Sequence, residues 1–208
     1  MSRVGERDNP ISVRSKRRIT DALLDLMKTE PFSKITIKDI VEKAGLTRQT
    51  FYHNFETKED VLLYKEDELI AGFVQYLFEH QIVDWEDVIC FFFRYWQEHA
   101  DFMQLLMKND LVYLLSMRLP TYFQTVNDIH FEKTDLTDTE ARLWYAFVGG
   151  AVVSVLTSWL SSSGGLSARE LAKMLTSMMD GSFMARNGFG EESGARDVVS
   201  FMAQGSLE

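Results

Sequence analysis

Residues 35–69 read ITIKDIVEKAGLTRQTFYHNFETKEDVLLYKEDEL, and this stretch decides the fold. Thr36 precedes apolar residues at helical spacing and has Asp39 three residues later, which is the pattern of an N-terminal capping box. Gly45 is expected to end this short helix, and Thr47 to cap the next one. The stretch therefore predicts two short helices joined by a tight turn, the arrangement of a helix-turn-helix motif.

The segments on both sides of this motif also have the spacing of helices. A first helix is predicted over residues 13–29, and it ends before Pro31 because the residue preceding a proline avoids helical geometry. Thr57, with Asp60 three residues later, is predicted to open a long fourth helix that runs toward His80. The motif is thus the centre of a three-helix unit that leads directly into a long helix.

The rest of the chain keeps the helical period, so the predicted fold class is all-α. Three further helices are predicted over residues 85–96, 101–118 and 121–131. Pro120 is expected to separate the last two of these. Capping boxes formed by Thr137 with Glu140 and by Ser167 with Glu170 predict two final helices.

The predicted organisation is a small helix-turn-helix head on a larger helical body. Four parts are expected: a flexible arm over 1–12, the helix-turn-helix head over 13–60, a helical body over 61–187 and a frayed tail over 188–208. The formal net charge of −9 is distributed unevenly between them. Residues 1–65 hold 13 Lys and Arg against 10 Asp and Glu, whereas residues 66–208 hold 9 against 21. This asymmetry indicates a mildly basic module on an acidic body.

Several other classes of protein are disfavoured by the sequence. Residues 147–160, FVGGAVVSVLTSWL, are apolar but interrupted by Gly and Ser, so they predict a buried helix rather than a membrane span. The opening MSRVGERDNP lacks an apolar core, so we expect no secretory signal and a cytoplasmic location. Cys90 lies in an apolar run and is predicted to be a core residue. GxSxG, HExxH and GxGxxG motifs are absent, so neither an enzyme nor a metal or cofactor site is predicted.

Residue types within the motif point to DNA. Arg48 and Gln49 carry hydrogen-bond donors suited to guanine and adenine edges in the major groove. Phosphate contacts are better suited to Thr36, Tyr52, His53 and Lys58. The alternative is a plain three-helix bundle in which Tyr52 and His53 only cover the core.

Residues 13–70 resemble the N-terminal DNA-binding domain of the TetR/AcrR family of transcriptional regulators. The resemblance is carried by Thr36, the Ile40-Val41 pair, Ala44-Gly45, Thr47, the Phe51-Tyr52-His53 block with Phe55, and Lys58-Glu59-Asp60. Asn54 departs from the pattern, since an aromatic or small polar residue is common there. The resemblance implies an all-helical homodimer whose subunits carry a DNA-binding head and a larger ligand-binding and dimerising body. The DNA contacts that it implies are Thr36, Thr47, Arg48, Gln49, Thr50, Tyr52, His53 and Lys58.

The sequence of the body says less about its function. Residues 143–160 resemble the family's penultimate helix, which together with the last helix, here about residues 168–185, forms the dimer interface. The predicted interface residues are Val148, Gly149, Val152, Val155, Leu156, Trp159, Leu171, Met174, Leu175 and Met178. In the alternative, Gly149 and Gly150 fit against a helix of the same subunit. Candidates to line a ligand pocket are Phe73, Leu77, Phe92, Trp96, Phe102, Leu106, Tyr113 and Phe123, although each has core packing as its alternative.

The function predicted from these features is a ligand-responsive repressor. It binds a palindromic DNA operator as a homodimer and is released by an unidentified small-molecule effector held in the body. The expected partners are therefore double-stranded DNA, a second copy of the chain and the effector, without a membrane. The alternatives are activation instead of repression, and an adaptor or regulator controlled by a protein partner.

Overall fold

The computed structural model describes residues 10–82, 84–130, 137–162 and 165–179. All regular structure in these ranges is helical, which confirms the all-α prediction. The helices are α1 (Pro10–Thr29), α2 (Ile37–Ala44), α3 (Arg48–Asn54), α4 (Lys58–Glu79), α5 (Trp85–Glu98), α6 (Ala100–Lys108), α7 (Tyr113–His130), α8 (Asp138–Ser161) and α9 (Ala168–Met179). A 3₁₀ turn, Phe32–Lys34, links α1 to α2.

The helix starts lie where local capping chemistry predicts them. The hydroxyls of Thr36, Thr47, Thr57 and Thr137 each accept a hydrogen bond from the backbone N–H three residues later. Ser167 does the same for Glu170, whose carboxylate accepts the Ser167 backbone N–H in return. A side-chain oxygen at this position satisfies a backbone donor that the first helical turn leaves without a partner. Two helices start elsewhere: α1 begins three residues before the expected start, and α7 begins at Tyr113 instead of residue 121.

The helix-turn-helix turn depends on Gly45. Its φ of 62° is left-handed, and a Cβ there would lie 2.9 Å from a guanidinium nitrogen of Arg18. That guanidinium donates to the Ala44 carbonyl oxygen at 2.5 Å, so α1 binds the carboxyl end of α2. Only glycine combines the left-handed conformation with this close approach at no steric cost. The turn is thereby fixed against α1.

One continuous core joins the head to the body. Ile19, Ile40 and Phe51, which are fully buried, form its head end, and Phe93 and Met103 are equally buried in the body. α4 belongs to both parts, because it packs against α1 and also against α5 and α7. Cys90 is a buried free thiol, as predicted. A shared helix and a shared core mean that the head cannot move independently of α4.

The predicted helix break at Pro120 is wrong. α7 runs through Pro120, and the break lies between Lys108 and Tyr113, where Asp110 has a left-handed φ of 58°. A proline inside a helix removes one hydrogen bond and crowds the preceding turn. Here the ring packs on α8, where a Cβ on Gly149 would lie only 3.0 Å from the Pro120 Cγ. Packing between α7 and α8 offsets the lost hydrogen bond.

The prediction that residues 147–160 form a buried helix is wrong for one side of α8. The inward side holds Tyr145, Val153 and Leu156, all buried, whereas Phe147 is 68% exposed. A Cβ on Gly150 would meet no atom of the described ranges within 4 Å. Within the described ranges, α8 is also the one helix long and apolar enough to cross a membrane, by length and composition alone.

Parts of the sequence predictions lie outside the described residues. These are most of the arm predicted over 1–12, the last part of the helix predicted over 168–185, and the tail predicted over 188–208.

Candidate nucleic-acid interface

The outer face of α3 carries the candidate base-reading side chains. Arg48, Gln49, Tyr52 and His53 are all exposed, and Tyr52 is exposed by 59%. The helix is held from behind by Phe51, whose fully buried ring meets the Tyr52 ring edge-on at 5.6 Å between centroids. A short helix with one anchored apolar face therefore presents a row of hydrogen-bond donors to solvent, as a recognition helix requires.

Two threonines of the predicted DNA-contact set, Thr36 and Thr47, act as helix caps, and the third, Thr50, lies in the first turn of α3. The Thr36 hydroxyl donates to the Asp39 carboxylate at 2.6 Å, and this bond and the Thr36 backbone N–H lower the pKa of Asp39. The hydroxyls of Thr47 and Thr50 lie 2.9 Å apart at the start of α3. All three residues lie at the starts of the two motif helices, where exposed N–H groups also favour an anion.

Lys58 departs from the rest of the predicted set. Its ammonium donates to the carbonyl oxygens of Phe32 at 2.5 Å and Ile35 at 2.9 Å. It also lies 4.2 Å from the centre of the Phe32 ring. The structure thus assigns this ammonium to the 3₁₀ turn, and only one of its three donors is left for a phosphate. Sequence reasoning missed this because the turn lies 23 and 26 residues away.

Asn54 has a structural role that the sequence did not reveal. Its side-chain oxygen accepts a hydrogen bond from the Ser12 hydroxyl at 2.7 Å, and its amide donates to the Thr50 carbonyl at 2.7 Å. The carboxyl end of α3 is therefore tied to the first turn of α1. Neither residue carries a pattern of its own, so only the folded chain brings them together.

The predicted ligand-pocket residues form packed core. Phe73, Leu77, Phe92, Trp96, Phe102 and Leu106 are each 6% exposed or less. The Phe73 and Phe92 rings meet edge-on at 5.6 Å, and Phe92 lies 6.1 Å from Trp96. Tyr113 is instead 51% exposed, and the Phe123 side chain lies outside the described residues. The six buried side chains pack in the core, and core packing is the alternative that the sequence left open for them.

An open groove between α4 and α7 is lined mainly by apolar surface. It encloses about 680 Å³ above Ile70, Ala71, Val74 and Phe78. At one end the Tyr122 hydroxyl donates to the Asp67 carboxylate, which also faces Arg118 at 3.5 Å. Burial, followed by this hydrogen bond, raises the pKa of Tyr122, so the phenol remains protonated at physiological pH.

A buried carboxyl group lies beside this polar cluster. Glu66 is 1% exposed, and its Oε1 has no hydrogen-bond partner among the residues that the structure describes. Burial is the main cause that raises its pKa to about 8, and the negative charge of Asp67 adds to the shift while Arg118 opposes it. The group is therefore largely neutral at pH 7. Its position was not predicted, since Glu is rarely buried unpaired.

The predicted dimer-interface residues divide between two sides of their helices. Gly149, Leu156 and Leu171 are buried within the subunit, and Gly149 packs against Pro120, as the alternative reading had it. The prediction that these three residues contact a second subunit is wrong, because their surfaces are already covered within one subunit. Still partly or largely exposed are Val148, Val152, Val155, Trp159, Met174, Leu175 and Met178. Three further apolar residues of α8 are exposed and were not predicted as interface residues: Leu143 at 62%, Trp144 at 43% and Phe147 at 68%.

An all-helical head with an exposed recognition helix, joined to a helical body, defines a helix-turn-helix DNA-binding regulator. The sequence matches the profile described as bacterial regulatory proteins, tetR family, over residues 19–64. It also matches a transcriptional regulator C-terminal region of that family over residues 83–181. The chain belongs to the TetR family of transcriptional regulators, which are not enzymes.

Individual relatives agree with this assignment. The chain is similar to the HTH-type dhaKLM operon transcriptional activator DhaS of Lactococcus lactis subsp. lactis, with 29% identity over 103 residues. That match spans 48% of this chain and 52% of the relative, so it covers about half the length of each.

Solved structures show the same fold. Lin0861 from Listeria innocua aligns with a TM-score of 0.69 and 14% identity, over 85% of this chain and 95% of that one. A TetR transcriptional regulator from Streptococcus agalactiae aligns with a TM-score of 0.54 and 21% identity, over 81% and 94%. At these identities the similarity establishes the fold alone.

Proposed function

We propose that this protein binds a palindromic DNA operator as a homodimer through the exposed face of α3. The observation that carries the proposal is the row of exposed donors, Arg48, Gln49, Tyr52 and His53, on a helix whose other face is anchored in the core. Arg48 and Gln49 are assigned to base edges, and Tyr52 and His53 to phosphates. Two such helices fit successive major grooves when they are separated by about one helical turn, roughly 34–36 Å.

The second subunit is proposed to cover the exposed apolar side of α8. Leu143, Trp144 and Phe147 form an apolar surface that a soluble monomer rarely leaves open. Further along the same helix, Gly150, Ala151, Ser154 and Ser158 are exposed and small. Small residues allow the backbone of a second helix to approach closely, so this side fits its own copy across a two-fold axis.

Control of DNA binding is proposed to pass along α4, which starts at the head and ends in the body. A ligand that prefers a body shape with the wrong separation of recognition helices shifts the population of molecules off DNA. Repression then follows from occupancy of the operator, and release from binding of an effector. The alternative to repression is activation of transcription, and the similarity to a relative described as an operon activator supports it. Action on DNA also places the protein in the cytoplasm.

A second candidate is control by a protein partner instead of a small molecule. It is supported by the packing of the residues predicted to line a ligand pocket, since the Phe73, Phe92 and Trp96 rings occupy that space themselves. The two modes are distinguished by challenging a preformed operator complex with cell extract divided by ultrafiltration. Release by the low-molecular-weight fraction supports the effector, and release by the retained fraction supports the protein partner.

DNA binding is tested by selecting sheared genomic DNA on the purified protein at near-physiological salt. Wild type is expected to enrich a short palindrome, and Tyr52→Ala to lose that enrichment. Tyr113→Ala is the matched control, because Tyr113 is similarly exposed but lies on α7 of the body. Failure of the wild-type protein to enrich any sequence contradicts the proposed function. A reporter gene placed behind the selected site then gives the sign of regulation.

A further inference from the structure

Glu66 is a buried acid on α4 that the proposed DNA binding does not use. Its side chain is almost completely covered, and its Oε1 receives no hydrogen bond from the residues that the structure describes. An ionised carboxylate in this position loses its hydration without gaining a donor, so the site favours the neutral acid. Because α4 joins the head to the body, a change of charge at this position affects the packing of both.

The charged groups beside Glu66 belong to a polar cluster that ties α4 to α7. Asp67 of α4 accepts a hydrogen bond from the Tyr122 hydroxyl and lies 3.5 Å from the Arg118 guanidinium. The charges of Asp67 and Arg118 act on the Glu66 carboxyl in opposite directions. A negative charge on Glu66 therefore repels Asp67 and competes with it for Arg118.

The other helices packed against α4 also bring polar groups to it. Tyr95 of α5 donates its hydroxyl to the backbone of α4, and burial is the main cause that raises its pKa. His99, which ends α5, has a pKa lowered mainly by burial. On α1, Arg17 lies 3.9 Å from Glu68, and Lys16 lies over an aromatic ring of α4. Tyr95 and His99 each keep one protonation state between pH 7 and pH 8.5, so neither accounts for a titration of this contact there.

Direct repulsion between Glu66 and DNA is a minor effect. Glu66 follows Lys58, the first residue of α4, by eight residues, so the rise of the helix places it about 12 Å further from the head. The Debye length at physiological ionic strength is about 8 Å, so most of this repulsion is screened. A charge on Glu66 acts on DNA binding through the packing of α4 instead.

We infer that ionisation of Glu66 loosens the contact between α4 and α7 and thereby weakens operator binding at alkaline pH. The inference rests on the proposed function and extends it, because it makes the proton an effector. The charged carboxylate requires either water or the Arg118 guanidinium as a partner. Water separates α7 from α4, and capture of Arg118 leaves Asp67 without its cation. Since α4 also packs against α1, the population shifts away from the arrangement that presents α3.

The test compares operator affinity at pH 7 and pH 8.5 at one ionic strength. Wild type is expected to bind at least about threefold more weakly at pH 8.5, whereas Glu66→Gln keeps its affinity, because the amide resembles the neutral acid and cannot ionise. Glu98→Gln, at an exposed position of α5, is the matched control and should retain the wild-type pH dependence. Helical circular dichroism should be equal at both pH values. Loss of helix by the wild type at pH 8.5 would assign the effect to unfolding and overturn the inference.

Proton uptake provides the second readout, since a proton that favours operator binding is itself bound more tightly by the complex. Calorimetry at pH 8 in two buffers of different ionisation heat is expected to show net proton uptake by the wild type, and less uptake by Glu66→Gln. Equal pH dependence of operator affinity in these two proteins overturns this inference alone. If the wild type binds no DNA at either pH, the proposed function fails and the inference fails with it.

Discussion

The side-chain oxygen of Asn109 accepts a hydrogen bond from the backbone N–H of Phe32 at 2.7 Å, although 77 residues separate them in the chain. Asn109 follows α6 in the body, and Phe32 opens the 3₁₀ turn of the head. The same turn is held on its other side by the Lys58 ammonium, which binds the Phe32 carbonyl. Body and head are therefore joined by a specific polar contact as well as by α4.

This contact predicts a stability difference between two variants at one position. Asn109→Ala leaves the partly buried Phe32 N–H without its acceptor, so the free energy of unfolding should fall by about 1–3 kcal/mol. Asn109→Asp, like Asn109→Ala, loses the amide that donates to the Leu105 carbonyl at 2.8 Å, but it keeps an acceptor oxygen for the Phe32 N–H and should therefore lose less than Asn109→Ala. Urea unfolding of the three proteins measures both values. Equal losses from Ala and Asp would show that the hydrogen bond contributes nothing to stability.

The buried carboxyl of Glu66 predicts a pH dependence of stability. Its pKa of about 8 in the folded protein lies above its ordinary value of 4.5, because burial disfavours the charged form. The neutral carboxyl therefore contributes stability that is complete below pH 4.5 and is lost as the pH rises toward about 8. Glu66→Gln removes this titration, so the variant should gain stability relative to wild type between those two limits.

The measurement is urea unfolding at pH 5.5 and pH 8, with Glu98→Gln as the control at an exposed position of α5. The advantage of Glu66→Gln over wild type should grow by at least about 1 kcal/mol between the two conditions, since one pKa unit corresponds to about 1.4 kcal/mol. Glu98→Gln should show no such growth. A constant difference for Glu66→Gln across this range would refute the raised pKa.

The same substitution is expected to have different effects at the two adjacent glycines of α8. Gly149→Val places side-chain atoms against the Pro120 ring, where even a Cβ would lie 3.0 Å from Cγ, so α7 and α8 must separate. We expect a loss of about 2 kcal/mol or more from this overpacking. Gly150→Val meets open space and should be close to neutral within the subunit. Because Gly150 lies on the side of α8 proposed to meet the second subunit, thermal melting distinguishes the two variants at protein concentrations where the subunits are dissociated, and similar melting temperatures there would contradict the close α7–α8 contact.

The exposed side of α8 predicts a change of oligomeric state. Phe147→Asp places a charge in the proposed subunit interface, so the dimer should dissociate to monomers at micromolar concentration. Met117→Asp is the control, because Met117 is also 68% exposed but belongs to α7. Analytical ultracentrifugation of both variants reports the state. A Phe147→Asp protein that remains dimeric would place the interface elsewhere.

Lys58 predicts a separation between stability and DNA binding. Lys58→Ala removes two hydrogen bonds to carbonyl oxygens in the 3₁₀ turn, so the free energy of unfolding should fall by about 1–3 kcal/mol. Because its ammonium is directed at these carbonyls, the salt dependence of operator binding should change little. Arg48→Ala should do the reverse, with normal stability and relaxed preference at one base pair. If Lys58→Ala keeps its stability but reduces the salt dependence of operator binding, Lys58 contacts a phosphate, as the sequence predicted.

Local chemistry determined much of this protein from sequence alone. The caps at Thr36, Thr47, Thr57 and Thr137 depend on atoms three residues apart, and Gly45 depends on its own backbone conformation, so their roles could be predicted without a partner. The order of helices and the exposed donors of α3 followed from the same local patterns. These features also carried the resemblance to the TetR family.

Tertiary packing decided what local patterns left open. Pro120 breaks an isolated helix, yet α7 continues because α8 offers Gly149 against the proline ring. The apolar stripe of α8 could not show which side faces inward, since both sides are apolar and only the positions of α6 and α7 select one. Lys58 and Asn109 obtain their partners from residues 26 and 77 positions away. Their roles depend on distances in space, which a helical period cannot encode.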